Sequence, residues 1–521
     1  MLSQLRARAP AARAVAAHPA ALGVAALTFT AAVLRLYGIG HQGLWFDEAY
    51  TVMLVKLPLA RMLDTIAKTE STPYLYYLLA WAWTHIFGRG AADVRALSAL
   101  FGTAVVPVSY LTAKRLLANH RAGLVVAALV AFNPFLIWYS QEARAYELLV
   151  LTGACTLLAF ACARERPTAR RLGLWALASG LALTSHYDAA LVVVPEALWL
   201  LIAHRRAISA WLAVAFVAAC GGALLPLLIA QSSAGNTSWI KKAPLNDRLG
   251  QILPQFLVGT GSHAYTVLMW IGFVLAAGGF VLLVARGDRT EQRVAANAAL
   301  LAIGGFALEM AVVAAGGDTL LTRNLLALWL PAAIALAAGV GAARAGRLGV
   351  AITAALCAVG LAATVSVATD TTLQRPDWPA VVQTLGPWPP SGQPADATRL
   401  LVFPRNVWLE SLTHVYMPHT LRLGHGKPHN VTEIDILANA SPPGSNQHWL
   451  CWWGAGCNLY PSRLRGRYPI PGFHQVSRTR VRQFTILRLV SDRPHRVYQR
   501  AIKLAMRRAG TPFYGLLIQR P

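Results

Sequence analysis

Long apolar runs alternate with short polar connections over the first 370 residues of the chain. Each run approaches the roughly 20 apolar residues that a helix needs to cross the hydrocarbon core of a bilayer. The pattern therefore predicts an all-α polytopic membrane domain of about eleven transmembrane helices over residues 1–370. The predicted spans cover residues 17–37, 94–113, 121–139, 147–163, 172–185, 188–203, 209–230, 264–285, 296–315, 323–342 and 348–369.

The pattern changes after residue 370, where Pro-rich stretches and short alternating runs replace the long apolar ones. Runs such as Leu400-Leu401-Val402-Phe403 and Gln483-Phe484-Thr485-Ile486-Leu487 are typical of strands. We therefore predict a small C-terminal α/β domain over residues 371–521. Cys451 and Cys457 lie in this region, and a disulfide between them is favoured over two free thiols if the domain is periplasmic.

Composition agrees with a membrane protein, because 56% of the residues are hydrophobic and only 13% are charged. Soluble globular chains carry about 25% charged residues. The net charge of +25 would also suit a nucleic-acid-binding protein. The basic residues, however, lie mainly in short loops between apolar runs and near the C-terminus, a pattern that sets membrane topology. We expect no nucleic-acid partner.

The basic loops predict the orientation of the chain, because they occur at every second connection. All of them are cytoplasmic if the N-terminus is cytoplasmic, and the first run shows no cleavage site of a signal peptide. The basic connections are Lys114-Arg115 with Arg121, Arg164 to Arg171, Arg205-Arg206, Arg286 to Arg293, and Arg344 with Arg347.

The aromatic segment Pro73 to Phe87 is the exception to this topology. Counting it as a span would invert every later loop, so we place it in the interface or as a re-entrant piece. The first outer loop, residues 38–93, then lies on the periplasmic side of a bacterial inner membrane together with the C-terminal domain. We expect the basic run Arg493 to Arg508 to contact anionic lipid head groups.

Two groups of charged residues lie on the predicted outer face. Asp47 and Glu48 follow two aromatic residues in the first outer loop, and the turn after the third span contains Glu142, Arg144 and Tyr146. Carboxylates beside a bilayer are costly unless they are solvated or used. One interpretation is a water-facing turn and a surface ion pair. A shared functional site explains both groups better.

In these residues the sequence resembles the lipid-carrier-dependent glycosyltransferases of the GT-C class. The similar group is family 39, with protein O-mannosyltransferases, lipid A aminoarabinose transferases and lipopolysaccharide-core galacturonosyltransferases. The resemblance extends over roughly residues 17–385. It is carried by Asp47-Glu48, Thr72-Pro73-Tyr74-Leu75-Tyr76-Tyr77, the turn from Tyr139 to Tyr146, Ser185-His186-Tyr187, Arg323-Asn324-Leu325-Leu326 with Pro331, and Asp377-Trp378-Pro379.

The resemblance implies transfer of a sugar from a polyprenyl-phosphate donor to an envelope acceptor, by a single displacement with inversion. Asp47 is then the expected base, Glu48 orients the acceptor or Asp47, and Arg144 holds the donor phosphate. For Lys241, Lys242 and Arg323, the interpretation as solvated loop cations or lipid-phosphate contacts is equally open. The further candidate donor contacts are Glu142, Tyr146, His186, Tyr187, Lys241, Lys242 and Arg323.

Two other functions remain open at this point. A transporter or lipid flippase would also have many spans, but such proteins tend to show internal repeats and broken helices, and no repeat stands out here. A polysaccharide polymerase or ligase would lack the acidic pair in its first loop. We expect no cofactor, while a divalent ion between Asp47 or Glu48 and Glu142 stays possible because oligosaccharyl relatives use one.

Overall fold

The computed structural model describes residues 2–388, 398–403, 412–422, 428–439, 464, 468–482, 484–511 and 515–519. Its chain forms two compact units. The helical unit contains residues 1–39 and 57–366, and the sheet unit contains residues 40–56 and 367–521. The loop segment 40–56 is thus grouped with the C-terminal residues. Cys451 and Cys457 lie outside the described residues.

The helical unit is built from the predicted apolar runs and a few shorter helices. A 3-10 helix, Thr322–Leu328, leads directly into one of the long segments. The helices of this unit are α1 (Leu2–Leu36), α3 (Leu59–Thr69), α4 (Leu75–Phe87), α5 (Ala91–Leu117), α6 (His120–Phe132), α7 (Pro134–Ser140), α8 (Tyr146–Glu165), α9 (Ala169–Ser185), α10 (Ala190–Ala203), α11 (Ile208–Ser233), α12 (Leu245–Val258), α13 (Tyr265–Arg286), α14 (Arg289–Ala314), α15 (Trp329–Val340) and α16 (Gly346–Thr369).

Eight helical segments in the described residues are long and apolar enough to cross a membrane. The pair α6 and α7 makes a ninth if it is counted as one span; it is bent by 57° at the break before Pro134, which donates no backbone hydrogen bond. The two remaining predicted spans form α9, of 17 residues, and α10, of 14 residues, which are shorter than the others. The prediction of a polytopic, largely helical membrane domain is confirmed.

The aromatic segment after Pro73 forms α4, which has 13 residues. At 1.5 Å per residue α4 is roughly 20 Å long, against a hydrocarbon core of about 30 Å. No candidate span lies between Leu36 and Ala91 in the described chain. The placement of the whole first outer loop on one side of the membrane stays a prediction.

The basic connections meet at one end of the helical unit, which we call the basic end. Arg115 forms an ion pair with Glu165, and Arg121 donates to the carbonyl of Gly346. The backbone N–H of Ala343 donates to Glu291 Oε1 at 3.2 Å. This grouping matches the positive-inside pattern of the sequence.

In its described residues the sheet unit combines a mixed sheet with three α-helices. Six strands are seen in the described residues, in the order β2-β6-β1-β3-β5-β4, with β1 and β3 parallel and the other neighbours antiparallel. The elements are α2 (Phe46–Val55), α17 (Trp378–Leu385), α18 (Gln499–Arg508), β1 (Arg399–Phe403), β2 (Thr420–Arg422), β3 (His429–Asn439), β4 (His474–Val481), β5 (Phe484–Val497) and β6 (Gly515–Gln519).

Both faces of the sheet are covered, which explains why β1 is buried at every position. Leu400 and Val402 pack with Ile502 of α18, while Leu401 and Phe403 pack with Trp378 of α17. Successive residues of a strand point to opposite faces, so a run of five buried residues requires a cover on each side. The predicted small α/β domain is confirmed, and its periplasmic location stays a prediction.

Candidate functional site

A buried ion pair joins two loops at the end of the helical unit opposite the basic end. Arg144 Nη2 lies 2.9 Å from Glu70 Oε2, and the side chains are 8% and 4% exposed. Glu70 ends α3, whereas Arg144 lies in the turn between α7 and α8. Each charge compensates the cost of burying the other. Arg144 was predicted from the sequence and Glu70 was not; the signal for Glu70 is an acid two residues before the Thr72-Pro73 motif.

Tyr77 in the first turn of α4 completes this pair. Its ring centre lies 5.9 Å from the Arg144 guanidinium, and its hydroxyl lies 3.2 Å from Thr72 Oγ1. Burial raises the pKa of Tyr77 well above its usual 10, and the hydrogen bond with Glu70 raises it further. The hydroxyl therefore stays protonated and donates a hydrogen bond to the Glu70 carboxylate.

The turn that presents Arg144 is fixed by local hydrogen bonds. Gln141 Nε2 donates to the carbonyls of Arg35 and Tyr37 at the end of α1, at 3.1 and 3.0 Å. The Arg144 N–H donates to the carbonyl of Glu142, at 2.8 Å, and Glu142 itself is fully buried. These hydrogen bonds fix the conformation of the turn, so the guanidinium is held by a rigid turn rather than by a solvated loop.

A second buried guanidinium, that of Arg323, lies at the start of the 3-10 helix. It is 5.7 Å from the ring centre of Tyr146 and 5.9 Å from that of Trp239. Cations are attracted to aromatic faces, and the attraction is stronger where water is excluded. Tyr146 begins α8, directly after the turn that carries Arg144.

His186 lies near both arginines and contacts Asp188. His186 Nδ1 is 3.3 Å from Asp188 Oδ2, and the His186 ring is 5.8 Å from that of Tyr146. Burial, together with the charges of Arg144 and Arg323, lowers the pKa of His186 to about 3. Burial and the nearby Glu309 raise the pKa of Asp188 well above 3.8. Both shifts favour the uncharged forms of the two side chains.

Tyr187 and the two loop lysines are held by other contacts. The Tyr187 hydroxyl donates to Gln231 Oε1 at 2.9 Å, and Gln231 Nε2 donates to the Thr72 carbonyl at 3.0 Å. Tyr187 thus positions the Thr72 loop. Lys241 donates to the carbonyl of Gly316 at 2.7 Å, and Lys242 is exposed.

The structure therefore brings together Arg144, Tyr146, His186 and Arg323 of the predicted donor contacts, with Glu70, Tyr77 and Asp188 added. We call these seven residues the arginine cluster. Arg248, a further buried arginine at this end, was not predicted; it forms a two-pronged pair with Asp318 at 2.5 and 2.7 Å. This pair secures the loop between α14 and the 3-10 helix.

The predicted base lies in the sheet unit, at the start of α2. Asp47 is partly exposed, whereas the adjacent Glu48 is fully buried. The Glu48 carboxylate accepts from the Trp45 N–H at 3.3 Å, which closes the helix N-terminus, and lies 3.8 Å from Arg375 Nε. The backbone N–H of Arg375 donates to Gln42 Oε1 at 3.1 Å. Arg375 thus holds the segment that carries Asp47 in place. This residue was not predicted from the sequence.

Metal binding was left open by the sequence. Across the described ranges no group of three or more His, Cys, Asp or Glu side chains is arranged to hold a metal ion. Both the expectation of no cofactor and the alternative of a divalent ion stay predictions.

Comparison with protein families finds one match. Residues 71–229 match the family of dolichyl-phosphate-mannose-protein mannosyltransferases. This range contains Glu142, Arg144, Tyr146, His186 and Tyr187. This match, which covers part of the chain, confirms the predicted resemblance to the GT-C glycosyltransferases. It likewise confirms the prediction of a glycosyltransferase. Comparison with curated proteins finds no significant match.

The fold is similar to that of ArnT from Cupriavidus metallidurans in the apo state. The TM-score is 0.50 at 13% identity, covering 91% of this chain and 98% of ArnT. ArnT bound to undecaprenyl phosphate gives a TM-score of 0.47 at 13% identity, covering 89% and 97%. The Pmt1-Pmt2 protein O-mannosyltransferase complex of S. cerevisiae, bound to its sugar donor, gives 0.33 at 16% identity, covering 44% and 37%. The first of these likenesses shows a GT-C fold along almost the whole chain.

Proposed function

We propose that the protein transfers a sugar from a polyprenyl-phosphate donor to an acceptor of the cell envelope, on the periplasmic face of a bacterial inner membrane. The observation that carries this proposal is the arginine cluster, in which two buried arginines, Arg144 and Arg323, both act electrostatically on the buried His186. The family match and the fold support a glycosyltransferase of this class.

A phosphate head group fits the chemistry of the cluster. A guanidinium presents five N–H donors in a planar fork that matches phosphate oxygens, so Arg144 can contact Glu70 and a phosphate together. A low-dielectric, partly dry site makes such contacts stronger than they are in water. Arg323 adds a second positive charge beside Tyr146. The undecaprenyl phosphate bound by ArnT supports a polyprenyl lipid as the carrier.

The proposed reaction is a single displacement at the anomeric carbon. Asp47 accepts the proton of the acceptor nucleophile, whose electron pair forms the new glycosidic bond. The bond between the anomeric carbon and the phosphate oxygen breaks, its electron pair stays on the phosphate, and Arg144 and Arg323 stabilise that charge. Attack from the face opposite the phosphate inverts the configuration. Neutral His186 and protonated Asp188 supply hydrogen bonds to sugar hydroxyls.

The periplasmic side is proposed from topology. The basic connections meet at one end of the helical unit, and the arginine cluster lies at the other. Since Lys and Arg are enriched in cytoplasmic loops, the arginine cluster is on the outer side.

The test compares cells that carry the gene, lack it, or carry Asp47→Asn. Mass spectrometry of polyprenyl-phosphate sugars and of envelope glycans should show donor accumulation and loss of one glycan in the gene deletion. Asp47→Asn should reproduce the deletion at unchanged protein level. The matched control is Asp64→Asn, because Asp64 is an exposed acid of α3 that pairs with Lys68 at 2.7 Å; it should behave as wild type.

Two results would count against the proposal. Full glycan content with Asp47→Asn would remove Asp47 as the base. A deletion that leaves every glycan intact, but changes the side of the membrane on which a lipid-linked sugar is found, would favour a flippase instead.

A further inference from the structure

A groove of about 790 Å³ runs along the membrane-facing side of α1 and α5. Its walls are almost entirely apolar, with Val24 and Phe29 on α1 and Pro107 on α5. At its other end the groove reaches Lys114 and His120. It therefore combines a long hydrocarbon surface with a short basic end.

Helix geometry explains both the groove and its length. Alanines recur on the α1 face that lines it, so this helix offers little side-chain volume, and Pro107 interrupts the backbone hydrogen bonding of α5. The lining extends from Ala21 to Ala32 on α1. At 1.5 Å per residue this distance is roughly 17 Å, close to half of the hydrocarbon core of about 30 Å. The groove consequently has the depth of one leaflet.

The polar end of the groove consists of several side chains that contact one another, rather than of a single isolated cation. The Tyr110 hydroxyl lies 2.6 Å from His120 Nδ1, which fixes the imidazole ring. When Tyr110 donates to Nδ1, His120 Nε2 carries a hydrogen and is itself a donor. Lys114 Nζ lies 5.8 Å from the Tyr110 ring centre. An ammonium and an imidazole N–H thus lie at the level of the basic end, where lipid head groups are found.

We propose that this groove binds a phospholipid with an anionic head group from the leaflet at the basic end. One acyl chain lies between α1 and α5, and the phosphate accepts hydrogen bonds from Lys114 and His120. Charge complementarity selects an anionic lipid, because a zwitterionic head group brings its own cation to the basic end. The apolar lining selects a lipid over a free phosphate, which would gain nothing from most of the groove.

Native mass spectrometry tests the proposal on the full-length protein, released from nanodiscs of equimolar phosphatidylethanolamine and phosphatidylglycerol. The wild type should retain one phosphatidylglycerol molecule. Lys114→Gln should lower that retention several-fold, because the ammonium is lost. Arg115→Gln is the matched control, since Arg115 is the next residue, pairs with Glu165 and lies outside the groove lining. It should leave retention unchanged.

A second pair of variants tests the acyl chain. Ala25→Phe fills the groove and should abolish retention, whereas Ala26→Phe, at an exposed position outside the lining, should not. Equal losses for Lys114→Gln and Arg115→Gln would show general electrostatics and overturn the proposal. Equal retention of both lipids, or displacement of the bound species by inorganic phosphate, would overturn it as well. Because Ala25→Phe leaves Lys114 in place, its result decides the matter even if Lys114→Gln folds poorly.

Discussion

Replacing Arg144 by Gln tests the proposed role of the arginine cluster most directly. Glutamine keeps a polar end group on a shorter side chain, and it loses both the charge and the planar set of N–H donors of the guanidinium. If Arg144 makes two charge-assisted hydrogen bonds to the donor phosphate, worth about 1.5–3 kcal/mol each, the loss is about 3–6 kcal/mol. A factor of ten in rate corresponds to about 1.4 kcal/mol, so kcat/KM should fall roughly 10²- to 10⁴-fold. Arg144→Lys keeps the charge but lacks the planar set of N–H donors, so its kcat/KM should lie between those of the wild type and Arg144→Gln.

The same substitution also carries a folding cost, because Glu70 is left buried beside a neutral partner. Breaking a buried pair costs about 3–5 kcal/mol of stability. Arg248→Gln provides the matched control, since it breaks a pair with Asp318 that is buried to a similar extent, with Arg248 3% and Asp318 12% exposed. Both variants should therefore lose similar thermal stability, while Arg248→Gln should keep the turnover of its folded fraction.

The assay is the release of polyprenyl phosphate from the lipid-linked sugar by protein reconstituted in liposomes. Rates are divided by the folded fraction from size-exclusion chromatography. An equal loss of kcat/KM in Arg248→Gln and Arg144→Gln would refute the role of Arg144 in binding the donor phosphate. A kcat/KM for Arg144→Gln within a few-fold of wild type would refute it as well.

Two further predictions concern stability. His186 binds its proton only below about pH 3 in the fold, and Asp188 keeps its proton well above 3.8; unfolded values are about 6.5 and 3.9. The lowered pKa of His186 makes stability rise with pH between about 3 and 6.5. The raised pKa of Asp188 makes stability fall as the pH rises above about 3.9, so the two effects oppose each other where these ranges overlap. Asp188→Asn should remove the fall in stability at higher pH and leave a loss of stability as the pH drops from 6.5 towards 3. Unfolding midpoints measured by tryptophan fluorescence test this, and an unchanged pH profile would contradict the assignment. In the sheet unit, Arg375→Gln should destabilise the fold by leaving Glu48 buried beside a neutral partner, and Glu48→Gln in the same chain should recover part of the loss. A double-mutant cycle of unfolding midpoints should give a coupling of about 0.5–3 kcal/mol, whereas additive effects would exclude the contact.

The fold was predictable because its main signals are local. An apolar run long enough to span shows directly in the sequence, and the alternation of basic loops fixes which ends meet. The contacts of Arg115 and Arg121 at the basic end agree with that alternation. The aromatic segment after Pro73 forms a helix of 13 residues, and its placement in the interface or as a re-entrant piece stays a prediction.

The partners of the charged residues were not predictable in the same way. Sequence proximity suggests only a local partner for Arg144, Glu142, whereas the structure also places Glu70, from the end of α3, 2.9 Å from the guanidinium. Glu48 likewise lies near Arg375, which comes from beyond the last span. Such pairs follow from packing between distant segments, and the cost of burying each charge selects a partner of opposite sign without any local pattern.

The protonation of Asp188 shows how this burial bears on the proposed chemistry. An ionised Asp188 would oppose Arg144 and Arg323 and weaken their attraction for a donor phosphate. Burial and the proximity of Glu309 raise the pKa of Asp188 and so favour its protonated form, while burial and the charges of the two arginines favour neutral His186. The arginines thus retain their positive field, while the His–Asp pair stays able to donate and accept hydrogen bonds. Asp188→Asn, which preserves the neutral state, should therefore retain donor binding, whereas Asp188→Lys should not preserve the fold.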